Sequence, residues 1–479
     1  MENPIMLQTF YWEMNTGRYA DEFPEESELW NLLADRAEEF KKTGFDFLWF
    51  PPANKGAAGA LDVGYGTYDL WDLGEFEQKG NIRTKYGKKE ELENALVKLH
   101  NKGIRTFYDA VLNHRMGADE KETVILKDEQ KAEVWTKFNF PGRKGKYSSL
   151  RLDWTNFDGV DWNERSKEEG EFLFKHKKWD NSYEDDYLMG ADLDYENQAV
   201  REDVINWGLW IINEIGFDGF RFDASKHVDN KFLKNFINET DEISNKDLFF
   251  IGESWVNDIE SLKNYIKEIG SEKLHVFDFP LRQAFVEMMD GNLDMRWFGD
   301  RGLVNTDDYS SYAVTFVDNH DTDRDAKNEY GTRSISSRKY QAYTYILIRK
   351  EGVPVVFWKD YYNRGMKNRL KKIIEARKKF AYGDGLESNS NDENTYSYIR
   401  AGDREHPGSG LVMMITQHDN GEIVRKTVNS LAANTEYYDF TGNIEKTVRT
   451  DENADGEFMV KGSQGEGYSI WVPKEDENV

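Results

Sequence analysis

Three acidic side chains follow short, apolar and aromatic runs of the 479-residue sequence. Asp223 and Glu253 each end such a run, and Asp321 comes three residues after the end of another at Asp318. One acidic residue at a strand end is more often a helix cap than part of a site. Three acidic residues at strand ends that face the same cleft indicate acid–base chemistry. The other polar residues at predicted strand ends are Asp109, Asn113, His114, Asp318 and His320.

The neighbours of Asp223 and Glu253 predict different protonation states for the two carboxyl groups. Side chains alternate along a strand, so Arg221 and Asp223 point to the same side. An inward arginine needs a partner, and beside Asp223 it would keep that carboxylate ionised, unless the pair only stabilises the fold. Glu253 follows residues 249–252, which bring scarcely any polar group, so we expect burial to raise its pKa. One charged and one protonated carboxyl are what cleavage of a glycosidic bond requires.

Apolar runs that alternate with amphipathic patterns must position these residues. The predicted strands are 6–12, 45–50, 105–112, 219–223, 248–253, 274–277, 313–318 and 353–357. The predicted helices between them are 27–43, 89–102, 199–215, 258–269 and 336–350. This alternation predicts a parallel sheet of βαβ units, and eight strands predict an α/β fold of the (β/α)₈ TIM-barrel type. Barrel enzymes carry function at the C-terminal strand ends, where the acidic residues stand.

The alternation breaks twice, which predicts three domains. About a hundred residues without a convincing strand follow Leu112, too many for a structureless loop, so we expect an inserted subdomain over residues 113–197 after strand 3. Short strands with glycine turns follow Gly383 and predict a C-terminal antiparallel β-sandwich domain over residues 385–479. The barrel then comprises residues 1–112 and 198–384.

Composition excludes several functional classes. Lys and Arg number 63 against 89 Asp and Glu, a net charge of −26, which disfavours nucleic acid and anionic membranes as partners. There is no cysteine, hence no disulfide or thiolate chemistry. Neither a signal peptide nor an apolar run long enough to span a membrane is visible. We expect a cytoplasmic monomer, the alternative being a mature secreted chain with an added start Met.

Four segments resemble, in order and spacing, the conserved regions of the α-amylase family (glycoside hydrolase family 13). These segments are residues 109–114, 216–227, 252–255 and 316–321. Residues 62–70, 83–87, 140–143 and 276–281 are further similar to the bacterial liquefying α-amylases. The similarity extends from about Met6 to about Gly383, and more loosely to the C-terminus.

The resemblance implies retaining, endo-acting hydrolysis of internal α-1,4-glucosidic bonds in starch, glycogen and maltooligosaccharides. It implies Asp223 as nucleophile, Glu253 as general acid/base and Asp321 as transition-state stabiliser. The residues that it implies in substrate binding are Tyr65, His114, Arg221, Lys226, His227, Trp255 and His320. Lys226 and His227, which follow the nucleophile, resemble the endo-acting α-1,4 enzymes rather than relatives that cleave α-1,6 bonds.

The acidic insert leaves two interpretations open, a solvated surface or a site for a hard cation such as Ca²⁺. The resemblance favours calcium. It implies a first site that joins the insert to the barrel, formed by Asn113, Asp186, Asp192 and the backbone oxygen of His227. It implies an adjacent second calcium site, with a sodium between the two, formed by Asp158, Asp180, Asp194 and Glu196.

Two alternatives remain beside an endo-acting hydrolase. A maltogenic hydrolase or 4-α-glucanotransferase of the same family would use the same carboxylates, and an inactive homologue would only bind glucan. The segment 358–362, after the eighth strand, departs from the family pattern. It is shorter than the usual loop of the family and lacks the Gly-Asp element of that loop. The subsites on that side of the barrel are therefore left open.

Overall fold

The computed structural model describes residues 2–180, 187–325, 332–388 and 392–474. Eight parallel strands close into a barrel, which confirms the predicted TIM-barrel class. The strands are β1 (Met6–Gln8), β2 (Phe47–Trp49), β3 (Arg105–Ala110), β4 (Gly219–Phe222), β5 (Phe249–Gly252), β6 (Leu274–Phe277), β7 (Ala313–Phe316) and β8 (Val353–Phe357). Each pairs with the strands before and after it in the chain, and β8 closes the barrel against β1.

Helices cover the outside of the barrel. They are Arg18–Glu22, Leu29–Asp35, Ala37–Thr43, Lys89–His100, Gln198–Trp210, Asn230–Ser244, Ile259–Ile269, Phe279–Met289, Lys339–Ile348 and Lys367–Phe380. The predicted helix over 27–43 is two helices that meet at Arg36, whose guanidinium lies over the Tyr362 ring. The predicted helix over 199–215 ends in a π-helical turn, Ile211–Ile215, before Gly216.

Alternation along β4 decides what faces the barrel interior. Phe220 packs against Trp207 and Phe236 of the surrounding helices, with ring centroids 5.7 and 5.3 Å apart. Arg221 points the other way, is fully buried, and lies with its guanidinium carbon 5.0 Å from the centre of the Trp49 ring. The predicted period-two pattern of this strand is therefore confirmed, and it places a charged side chain inside the barrel.

The segment between β3 and β4 forms a layer of its own. One sheet has the order Glu168–Leu173, Phe157–Asn163, Ala191–Leu193 and His114–Arg115, and a hairpin joins Glu120–Ile125 to Lys131–Lys137. Glu120–Ile125 and Glu168–Leu173 are rich in charged residues, which obscured their periodicity in the sequence. The boundaries 113 and 197 of this insert stay a prediction.

The C-terminal region is rich in antiparallel sheet. Six strands follow the order Gly385–Glu387, Thr395–Arg400, Leu411–Thr416, Tyr468–Pro473, Glu436–Asp439 and Thr447–Arg449, and Ile423–Asn429 pairs with Asp455–Lys461. A second hydrophobic core, which includes Trp471 and Phe458, lies between the two sheets. Within the described residues, no helix has the length and apolarity that crossing a membrane would require.

Candidate active site

A cleft of 970 Å³ opens at the C-terminal ends of the barrel strands. Asp223, Glu253 and Asp321 follow β4, β5 and β7 and all three line this cleft. The other predicted site residues that line it are Tyr65, His114, Lys226, His227, Trp255 and His320. Arg221 does not line the cleft, because it lies buried beneath the carboxylates. The structure thus brings together side chains that are up to 256 residues apart in the chain (321 − 65).

The Arg221 guanidinium contacts three carboxylates. Its Nη1 lies 2.6 Å from Oδ1 of Asp109 and 2.7 Å from Oδ1 of Asp223, and its Nη2 lies 2.7 Å from Oε2 of Glu253. Asp109 is further held by the Trp49 indole N–H and the Tyr65 hydroxyl, each at 2.9 Å. One positive charge is therefore shared among three buried acids, where the sequence predicted a partner for Asp223 alone.

Burial and the shared Arg221 charge have opposite effects on the pKa values of these carboxyl groups. Burial raises the pKa of Asp223 to about 7, although Arg221 opposes the shift, and burial raises the pKa of Asp109 to about 6. Burial also raises the pKa of Glu253, as predicted, although Arg221 opposes that shift too. Arg221 acts on Asp223 in the predicted direction, because it lowers the pKa of that carboxyl, but desolvation has the larger effect. Burial therefore favours a proton on one of these carboxyl groups.

The contacts of Glu253 favour that carboxyl as the place for the proton. Its Oε2 accepts the Ala224 N–H at 3.1 Å and faces Arg221, whereas its buried Oε1 has no hydrogen-bond partner among the described residues. Ala224 adopts the left-handed conformation, with φ 43°, directly after Asp223. Such backbone strain in a non-glycine residue is uncommon and concentrates at functional sites.

Asp321 has the opposite environment. Its Oδ2 lies 2.9 Å from Nε2 of His320, and Arg324 forms an ion pair with its Oδ1. These neighbours hold the pKa of the Asp321 carboxyl well below its usual range although the group is buried. The Gln8 side-chain amide lies 2.9 Å from His320 Nδ1, so an amide that donates there leaves the ring proton on Nε2, facing Asp321.

His114 and Tyr65 form one wall of the cleft. Burial lowers the pKa of His114 to about 4, so its ring is neutral at neutral pH. Its Nε2 lies 2.9 Å from the backbone oxygen of Tyr65, which can only accept, so Nε2 carries the proton. The rings of Tyr65 and His320 are parallel, with centroids 5.0 Å apart. On the opposite wall Trp255 stacks on Phe279 at 4.9 Å.

A smaller groove of 400 Å³ lies in the insert, and Met116 lines both it and the main cleft. Trp135 and Trp162 line this groove and are 41% and 37% exposed, unusually high for such large rings. Sequence reasoning missed both tryptophans because nothing in the spacing distinguishes them from core residues. It also missed Gln8, for which a polar residue inside an apolar predicted strand was the available signal.

The first implied calcium site is partly described. The Leu193 N–H donates to the backbone oxygen of Asn113 at 3.0 Å, so the strand Ala191–Leu193 brings Asp192 beside Asn113. Both side chains are buried, and Asn113 Oδ1 has no hydrogen-bond partner among the described residues. A buried, unsatisfied oxygen beside a carboxylate fits a hard cation. Asp186 lies outside the described residues.

Of the second implied site, three residues lie together. Asp158, Asp180 and Asp194 each offer a carboxylate oxygen, and these oxygens lie within 4.8 Å of one another. Lys177 forms an ion pair with Asp194 and supplies part of the charge that a cation would supply. Glu196 is exposed and pairs with Lys178 at 2.7 Å, so it stands apart from the other three.

The barrel with an acidic, aromatic-walled cleft at its C-terminal strand ends is the architecture expected of a glycoside hydrolase. A family model described as the alpha-amylase catalytic domain matches residues 29–401. The α-amylase of Bacillus licheniformis is 36% identical, and the match covers 98% of this chain and 94% of that protein. The cytoplasmic α-amylase of Escherichia coli is 35% identical, with 99% and 100% covered.

The glucan 1,4-alpha-maltohexaosidase of a Bacillus species is 36% identical, with 98% of this chain and 93% of that protein covered. Among solved structures, the α-amylase of Geobacillus thermoleovorans in complex with acarbose superimposes with a TM-score of 0.67 at 19% identity, over 99% of both chains, and supports the fold alone. The chain belongs to the α-amylase family and is a glycoside hydrolase of the α-amylase type.

Proposed function

We propose that this enzyme hydrolyses internal α-1,4 bonds of starch-like glucans with retention of configuration. The observation that carries the proposal is the convergence of Asp223 and Glu253 on the two nitrogens of one guanidinium, with Asp321 in the same cleft. Two carboxyls held on one small group suit the short separation of a retaining pair. A raised pKa for Glu253 suits an acid, and the low pKa of Asp321 suits a permanent anion.

The proposed reaction has two steps. Asp223 attacks the anomeric carbon while Glu253 gives its proton to the glycosidic oxygen, so that bond breaks and the leaving glucan departs with a hydroxyl group. Glu253, now a carboxylate, takes a proton from water, and the resulting hydroxide attacks the same carbon and releases Asp223. Proton loss from Glu253 in the first step also leaves Arg221 with a new anion to stabilise. Asp321 stabilises the positive charge that develops on the sugar.

The other cleft residues would bind the sugar in the cleavage subsite and its neighbours. Tyr65 would stack on the sugar, and neutral His114 and His320 would hydrogen-bond its hydroxyl groups. Lys226, His227 and Trp255 would bind the leaving-group side, near Glu253. Arg221 would act beneath the carboxylates rather than on the sugar, since it does not line the cleft.

Action on internal bonds is supported by the continuation of the cleft. The second groove, with Trp135 and Trp162, adjoins the main cleft at Met116 and extends the surface on which a long glucan could lie. Exposed indole rings offer flat apolar faces for sugar rings. A maltogenic hydrolase, which releases a disaccharide, would not need the extra surface, and the relative named maltohexaosidase leaves the product length open.

Product analysis on soluble starch tests this proposal. Retention predicts that proton NMR detects the α-anomer first, and endo action predicts a fall in viscosity well before reducing sugars accumulate. A first-formed β-anomer contradicts retention. Products longer than the supplied maltooligosaccharide, with no net gain of reducing ends, would instead show a 4-α-glucanotransferase. Binding of starch without any cleavage would show the inactive homologue.

We further propose that calcium binds at Asn113 and Asp192, with Asp186 and the backbone oxygen of His227 completing the site. Support comes from the unsatisfied Oδ1 of Asn113 beside a buried carboxylate. When bound, the ion would join the insert to the barrel through oxygen ligands. Asp158, Asp180 and Asp194, with Glu196, would form the second calcium site, and a sodium would lie between the two calcium sites. Binding there would require the displacement of Lys177 from Asp194.

The cellular location and assembly are proposals as well. We propose a cytoplasmic monomer that acts on a storage glucan, since the E. coli relative is named as cytoplasmic. A mature secreted form remains the alternative. Immunodetection in fractionated cells of the source and size-exclusion chromatography with light scattering would test the two statements.

A further inference from the structure

Arg324 lies at the edge of the cleft, on the ring of Trp12. Its guanidinium carbon is 3.5 Å from the centre of the Trp12 ring, and its Nη2 forms an ion pair with Oδ1 of Asp321. Both Trp12 and Arg324 line the cleft. Indole is the preferred aromatic partner of a cation, and at this distance the guanidinium covers one face of the ring. That face is closed to a sugar while Arg324 stays in place.

The order of the strands places Arg324 relative to the proposed acid. Trp12 follows β1 and Arg324 follows β7, whereas Glu253 and Trp255 follow β5. In the closed barrel β5 is the strand opposite β1. The leaving group lies on the side of its proton donor. Trp12 and Arg324 therefore belong to the other side, which holds the glycone part of the glucan.

Trp12 is the end of an aromatic wall. Its ring is nearly parallel to that of Tyr65, at 8° and 5.9 Å between centroids, and Tyr65 is parallel to His320, at 1° and 5.0 Å. Parallel rings at these distances are stacked on one another, so Tyr65 and His320 help to hold the Trp12 ring in place. The guanidinium of Arg324 covers one face of that ring.

The backbone on both sides of Arg324 is fixed by one buried lysine. Lys359 Nζ lies 3.0 Å from Oδ1 of Asp325 and 3.5 Å from Oδ1 of Asp323. The Asp325 N–H donates to Oε1 of Glu13 at 2.6 Å. Lys359 is almost fully buried, so separating it from these carboxylates would be costly. These three contacts do not involve the Arg324 side chain, so its displacement would leave them intact.

We propose that Arg324 is a specificity-determining residue that limits glucan binding at the glycone end of the cleft. This inference rests on the proposed function, because the role of Glu253 defines the glycone side. A glucosyl unit on Trp12 must displace the guanidinium from the indole and compete with it for Asp321. The free energy needed to displace the guanidinium offsets the favourable contacts of that glucosyl unit, so the unit adds little to affinity. Substrates with few glucosyl units beyond the cleavage site should then react almost as well as long ones.

The test uses 4-nitrophenyl α-maltosides that increase from two to six glucosyl units, with kcat/KM measured for the whole chain. Wild type should show little gain for the unit that reaches Trp12. In Arg324→Ala that gain should rise at least about twofold, the effect of removing one cation–π contact. Arg324→Lys keeps the charge beside Asp321 and loses the planar stacking, so its gain should fall between the two. The control is Arg425→Ala, which removes an exposed arginine paired with Glu457 in the C-terminal sheet.

Two results overturn the proposal. Equal gains in wild type, Arg324→Ala and Arg324→Lys would show that the guanidinium does not limit the subsite. A smaller gain in Arg324→Ala than in wild type would show that Arg324 binds the sugar instead of excluding it. Should Arg324→Ala fail to fold, as judged by its melting curve, the comparison of Arg324→Lys with wild type decides. Failure of wild type to cleave any of these substrates would contradict the proposed function, and it is separate from both results.

Discussion

Nη2 of Arg221 lies 2.7 Å from Oε2 of Glu253, as close as Nη1 lies to Oδ1 of Asp223. The two carboxyls thus lie against different nitrogens of one rigid, planar guanidinium. Loss of the proton from Glu253 is opposed by burial and helped by Arg221, and the same two effects act on Asp223. Asp223 and Glu253 therefore titrate as a coupled pair, and the apparent pKa values belong to the pair rather than to either residue.

The first prediction concerns the pH dependence. Asp109 raises the pKa of Asp223, so Asp109→Asn should lower it and shift the acidic limb of kcat/KM to lower pH. In wild type, activity should fall as the pH drops below about 7, because Asp223 must be ionised to attack. Melting curves of the variant serve as the control, since Asp109 also accepts bonds from Trp49 and Tyr65. An acidic limb that stays in place or moves upward contradicts the assignment.

The second prediction separates the roles of the two carboxyls. Asp223→Asn should lose activity on the order of 10⁴-fold or more on every substrate, because no covalent intermediate can form. Glu253→Gln should lose about 10²- to 10⁴-fold on starch, yet far less on substrates whose leaving group needs no proton, such as glycosyl fluorides. Equal losses of Glu253→Gln on starch and on fluorides would show that Glu253 is not the acid.

The third prediction concerns calcium. Removal of the metal should lower the melting temperature and the activity together, and added Ca²⁺ should restore both. Saturating ion at a thousand times its dissociation constant stabilises the fold by about 4 kcal/mol. Asp192→Ala should lose this calcium response, whereas Glu457→Ala, an exposed substitution in the C-terminal sheet, should keep it. A protein shown to be metal-free that melts and turns over unchanged would remove calcium from the account.

The fourth prediction tests the second groove. Trp135→Ala should raise KM for soluble starch about fivefold, the effect of about 1 kcal/mol of lost apolar contact, and should leave kcat/KM for 4-nitrophenyl maltotrioside unchanged. We expect the short substrate to occupy the main cleft, which Trp135 does not line. Trp297→Ala is the matched control, since Trp297 is 61% exposed and does not line either groove. Equal effects of Trp135→Ala on both substrates would argue against glucan binding in the insert.

The barrel and the inward direction of Arg221 could be predicted because both depend on local periodicity. The period-two pattern of β4 fixes which side chains share a face, whatever the rest of the chain does. That Arg221 also contacts Glu253 could not be predicted, since Glu253 comes from the neighbouring strand and its own segment is apolar. A guanidinium that reaches across two strands leaves no pattern in either of them.

Residues contributed by distant loops were equally hidden. Arg324 meets Trp12 only because β7 and β1 flank β8 in the closed barrel, and the two residues are 312 positions apart (324 − 12). Two of the insert strands, Glu120–Ile125 and Glu168–Leu173, were missed because most of their residues are exposed or half-buried. Hydrophobic periodicity reports burial, and a thin layer on the barrel surface has little to bury.

The most direct measurement is to trap the glycosyl-enzyme and find the residue that carries the sugar. The enzyme would react with a 5-fluoro-α-maltooligosyl fluoride, whose slow second step allows the intermediate to accumulate, and its peptic peptides would be analysed by mass spectrometry. The account predicts one added glycosyl group on the peptide that contains Asp223, and none in Asp223→Asn. A label on Glu253 or Asp321 would contradict the proposal that Asp223 is the nucleophile. So would release of fluoride by Glu253→Gln without any labelled peptide.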